Sequence, residues 1–152
     1  MLKKKIIIIL FLSLLYQSPL LSKSTSFDEF SSKNLSKYFS GIVAFQNKNN
    51  SKALDFFKSS KILISRHDPY LERFVMSLVL EDKVAQAINI IKANRYKSNS
   101  DFFEAYILLA LDNLKKNDTN KAREILAKIP EYLQENRFNY IILNSLKQYV
   151  EV

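Results

Sequence analysis

The chain has 152 residues and a formal net charge of +8, with 47% hydrophobic and 25% charged residues, one Gly, three Pro and no Cys. That balance excludes wholesale disorder and leaves room for one domain behind a leader. A single Gly leaves too few tight turns for hairpin-rich β architecture, and the lack of Cys excludes disulfides, thiolate zinc sites and a cysteine nucleophile.

Residues 1–24 begin with Lys3, Lys4 and Lys5, run apolar over 6–16 with only Ser13 intervening, and leave through Gln17, Ser18 and Pro19. A short basic start, an apolar segment too short to span a bilayer comfortably and a helix-breaking exit make up a secretory signal peptide. An exported, periplasmic protein is therefore expected; the alternative is an uncleaved membrane anchor reaching Leu21. Without the three leader lysines the charge is +5, and the remaining lysines are scattered rather than striped, which reads against nucleic acid as a partner. Residues 25–33 are Ser-rich and polar, a flexible linker into a helical domain over 34–152.

Leu35, Tyr38, Phe39, Ile42, Val43 and Phe45 recur at three- and four-residue steps, the mark of an amphipathic helix with a wide apolar face. Gly41 lies inside it at a cost of about 1 kcal/mol relative to Ala, which points to another helix passing close by. A polar turn over 47–50 leads to a second helix reaching about residue 65. Pro69 opens the next one. The second pair carries Leu71, Phe74, Val75, Leu78 and Val79, turns at 81–83 and continues as a helix over 84–92. Asp101 is the candidate N-cap of the third pair. Its first helix holds Phe103, Tyr106, Ile107, Leu109, Ala110 and Leu114; Asn117 and Asp118 turn the chain; 119–129 is the second helix, halted by Pro130. One more apolar-periodic helix, 136–152, has no partner after it.

Ala53, Ala87 and Ala122 stand 34 and 35 residues apart, each followed by large apolar residues. Self-similarity at that period marks a helical repeat array. A small residue on the first helix, an Ala twelve positions later and a large apolar residue four beyond recur as Gly41/Ala53/Phe57, Val75/Ala87/Ile91 and Ala110/Ala122/Leu126. On these residues the chain resembles the tetratricopeptide repeat family over about 34–129. The family's Gly-Asp turn falls on Lys48-Asn49, Asp82-Lys83 and Asn117-Asp118, of which the third is closest, and Val75 departs from the small-residue rule. The resemblance implies an all-α, right-handed α-solenoid of antiparallel helix pairs, with repeats at 34–67, 68–101 and 102–135 and an unpaired closing helix over 136–152. Ala at each crossing lets helices approach to about 8–10 Å. An ordinary helical bundle with coincident alanines is the rival, disfavoured by the regular spacing of both alanines and turns.

Recognisable catalytic parts are missing. The lone His67 sits in a polar turn beside Arg66 and Asp68 and reads as a surface residue. There is no HExxH, no paired His, no phosphate loop and no GxSxG elbow, so no catalytic, cofactor-binding or metal residue is assigned, and no cofactor is expected. The aromatics read as core and Lys115-Lys116 as charges offsetting a helix dipole. The family resemblance implies instead a groove lined by the first helices, holding a protein or peptide segment. Its positions fall on Tyr38, Ile42 and Phe45, on Glu72, Met76 and Val79, and on Ile107, Leu111 and Leu114. The carboxylate-clamping variant uses Lys and Asn there; the residues here are mostly apolar. The expected function is an exported, non-enzymatic scaffold for an apolar protein segment, unless further chain covers the groove. The alternative is an N-terminal helical accessory region of a larger envelope protein or enzyme complex.

Overall fold

The computed structural model describes residues 31–65, 67–95 and 100–151; the leader and most of the expected linker lie outside them. Among the described residues there are seven α-helices and no strand. In chain order they are α1 (Ser32–Gln46), α2 (Asn50–Ser59), α3 (Asp68–Leu80), α4 (Val84–Asn94), α5 (Phe103–Lys115), α6 (Thr119–Ala127) and α7 (Arg137–Glu151), with 3₁₀ turns at Lys61–Ser65 and Glu131–Leu133. None of the described helices is long and apolar enough to cross a membrane. Each helix packs on the next along the chain, and α1 also touches α3.

Helices α1 and α2, α3 and α4, and α5 and α6 are joined by the same turn, built three times. Lys48, Asp82 and Asn117 take left-handed φ values of 57°, 58° and 60°. The following amide closes back onto the carbonyl five residues earlier: Asn49 to Ala44 at 2.9 Å, Lys83 to Leu78 at 2.8 Å and Asp118 to Asn113 at 2.9 Å. The left-handed residue's own amide bonds to the carbonyl of Phe45, Val79 or Leu114, three residues back. This paired closure is the Schellman ending of a helix, which satisfies carbonyls that otherwise lack partners. The residue after the left-handed one starts the next helix. Asn49 and Asp118 cap it with a side-chain oxygen on the amides of Lys52 and Lys121; Lys83 has no oxygen to offer.

The nine register positions are all buried. Gly41, Val75 and Ala110 meet Ala53, Ala87 and Ala122, with Phe57, Ile91 and Leu126 beside them. The side chains pack into two clusters. One joins α1 to α4 around Leu54, Phe57, Leu63, Tyr70, Leu71 and Val75 and reaches Phe102 and Ala105 at the start of α5; the other joins α5 to α7 around Phe103, Ala110, Leu126, Leu143 and Val150. The first cluster is rich in aromatics: the Tyr38 ring lies 5.9 Å from both Phe57 and Tyr70. The Tyr70 hydroxyl donates to the Phe57 carbonyl and ties α3 to α2. Burial pushes the Tyr70 phenol well above its ordinary range.

Several expectations need correction. The second helix ends at Ser59 rather than near 65, because Ser59 and Ser60 turn their hydroxyls onto the Phe56 carbonyl at 2.9 Å and the chain tightens into a 3₁₀ turn. Asp101 does not cap α5. Phe102 holds the N-cap position, and Asp101 accepts instead from the Tyr106 hydroxyl at 2.5 Å. His67 is half-buried, its ring edge-on to Tyr38 with centroids 4.6 Å apart. The helix over 119–129 stops at Ala127, before Pro130. The linker expected to reach residue 33 gives way to α1 at Ser32, with Ser31 capping the Asn34 amide.

The last helix is in register with the pairs before it. Ser145 follows Ala110 by 35 residues, so it stands on α7 where Gly41, Val75 and Ala110 stand on α1, α3 and α5. One face of α7 is held by Leu143 and Val150, and the Arg123 guanidinium of α6 donates to the Val150 carbonyl. The opposite face leaves Phe138, Ile141 and Tyr149 at 69%, 53% and 70% exposure.

Candidate protein-binding groove

Three clefts each bridge neighbouring members of the set α1, α3, α5 and α7. The first is lined by Ile42, Phe45, Gln46 and Lys48 of α1 and its turn and by Arg73 of α3. The second, about 180 Å³, is lined by Met76 and Val79 of α3, Phe103, Glu104, Ile107 and Leu108 of α5, and Phe138, Asn139 and Ile142 of α7. The third holds Leu111, Leu114 and Lys115 with Leu146 and Tyr149 of α7. Side chains three and four residues apart on a helix share a face, which is why one register supplies all three.

Seven of the nine positions expected from sequence line these clefts: Ile42, Phe45, Met76, Val79, Ile107, Leu111 and Leu114. Leu111 is the most open at 44% exposure. Tyr38 does not belong among them. It is 3% exposed and turned into the aromatic cluster against Phe57 and Tyr70, because that cluster offers a ring-sized site one turn before Gly41. Burial raises its phenol's pKa. Glu72 lines none of the three clefts; it is half-buried one turn before Met76, and burial raises its carboxyl, with Arg73 lowering it and Glu104 raising it further.

Sequence reasoning missed Ile142, Leu146 and Tyr149, which continue the surface onto α7. The signal was there: counted from Ser145, they stand where Ile107, Leu111 and Leu114 stand from Ala110. The Arg73 guanidinium lies 5.9 Å over the Phe45 ring, closing the α1 end of the surface. Beyond the groove, Asp112 joins α4 to α5, pairing with Lys92 and Lys116 at 2.7 Å each; their hydrogen bonds hold its carboxyl below the usual range. Among the described residues no group of three or more His, Asp or Glu is placed to hold a metal ion.

No protein-family model matches the chain, and neither a curated protein nor a solved structure matches it significantly.

Proposed function

We propose that the chain is an α-solenoid of the tetratricopeptide type, exported behind a cleaved leader, that acts as a non-enzymatic scaffold. Three helix pairs and the first helix of a fourth would build a preformed surface for an apolar protein or peptide segment. The observation that carries this reading is the second cleft, where Met76, Val79, Ile107 and Ile142 come from three separate helices to one place. Each partner side chain fully covered there would contribute roughly 1.5–3 kcal/mol, and a preformed surface spares the cost of ordering it.

Leu111→Glu tests the reading. Leu111 is already open to solvent on the third cleft, so the charge should leave helical circular dichroism unchanged and the melting temperature within a few degrees. It should abolish capture of the partner that the unaltered chain retains from envelope extracts. Collapse of the fold, or undiminished capture, would retire the open groove.

A second reading rests on the bare face of α7. Phe103 and Ala110 are buried, whereas Phe138 and Ser145, their counterparts on α7, are exposed. That favours a helical accessory region of a larger envelope protein or complex, in which another helix covers α7. A photo-crosslinker at Ile141 in the native envelope distinguishes the two: adducts at Ile141 but none at Leu111 favour the accessory region.

A further inference from the structure

We infer that the segment bound by this surface carries a Lys or Arg among its apolar residues, received between Glu104 and Glu72 at the α3–α5 side of the second cleft. The inference deepens the groove reading and rests on it.

Charge complementarity argues for it. The chain is strongly basic overall, yet the charged side chain lining this cleft is Glu104. Glu72 stands one turn before Met76 on α3, near enough to Glu104 for the two carboxylates to repel one another. Among the described residues neither carboxylate accepts a side-chain hydrogen bond or forms a salt bridge. Arg73 is the cation beside Glu72, and its guanidinium is drawn over the Phe45 ring. Glu104 also lies in the first turn of α5, where a carboxylate suits the helix dipole. That placement explains Glu104 but not Glu72, which lies in the second turn of α3 and is held partly desolvated.

A cation arriving with apolar flanks would relieve both features. It would offset the repulsion between the carboxylates and stabilise the charged form of Glu72, while its neighbours cover Met76, Val79 and Ile142. An acidic segment of equal hydrophobicity would add a third negative charge in a partly dry site and be rejected.

The test is selection of a random twelve-residue peptide display library on the full chain, beside the Glu72→Lys/Glu104→Lys variant with its helicity checked by circular dichroism. The unaltered chain should enrich peptides with Lys or Arg between apolar residues, and the variant should enrich Asp or Glu there. In the best peptide, Lys→Glu should weaken binding about tenfold or more, the scale of one partly desolvated ion pair. Glu72→Gln/Glu104→Gln should remove that discrimination without removing binding, and it serves if the lysine variant does not fold. Apolar peptides without charge preference would overturn this inference and leave the groove reading standing. Failure to enrich any peptide that Leu111→Glu or an Ile107→Glu variant loses would overturn the groove reading itself.

Discussion

Gly41 of α1 lies directly beneath the Phe57 ring of α2: a methyl group at Gly41 would stand 2.8 Å from Phe57 Cε1. Phe57 is fully buried among Tyr38, Leu54 and Tyr70, so the ring has little room to withdraw. Gly41→Ala gains about 1 kcal/mol of helix propensity but overpacks the crossing by roughly 1–3 kcal/mol. A lower urea midpoint is expected. A higher midpoint would show that the ring can retreat and that the close approach is not what holds Gly at this position.

The middle turn lacks what the other two possess. Lys83 occupies the cap position that Asn49 and Asp118 fill with a hydrogen-bonding oxygen. Lys83→Asp should therefore raise stability by about 0.5–2 kcal/mol, and Lys83→Ala should not. Chemical denaturation of the two variants side by side measures the difference.

Ala87 has no accessible surface at the crossing of α3 and α4, while Gln86 beside it is exposed. Ala87→Leu is expected to cost roughly 1–3 kcal/mol, and Gln86→Leu to stay within about 0.5 kcal/mol. Coincident thermal midpoints for the two would remove Ala87 from the shared register.

Glu72 gives the fold a pH dependence of defined sign. Its folded-state pKa is raised, chiefly by burial, so folding favours the protonated carboxyl. The penalty is absent below the unfolded pKa, grows as pH rises toward the folded value, and is complete above it. Glu72→Gln should then be more stable than the unaltered chain at pH 7, with the advantage shrinking on acidification through the carboxylate range. An advantage that grows on acidification would reverse the assignment.

Much of the helical order could be read from sequence because its causes are local. Alanines at a 34–35 residue spacing set the crossings, and Asn117-Asp118 has the residue types that a left-handed turn and an N-cap require. Lys48 and Asp82 show the same φ without so clear a signature, since there the closing hydrogen bonds and helix packing impose the conformation. For Tyr38, position on the register says which face the residue occupies but not that a cluster of rings lies behind it. The groove's extension onto α7 stayed hidden for a different reason. The clearest mark of the repeat is its second-helix Ala, whereas α7 carries only the first-helix half, Ser145.

The two apolar clusters meet on α5, which gives Ala105 to the first and Phe103 and Ala110 to the second. Clusters that share only one helix can open on separate free energies. Native-state hydrogen exchange should then sort the amides of α1–α4 and α6–α7 into separate classes, with α5 between them. The second cleft touches both, taking Val79 and Leu108 from beside the first cluster and Ile107 and Ile142 from beside the second. A ligand seated there would act as a clasp, merging two exchange classes into one cooperative unit.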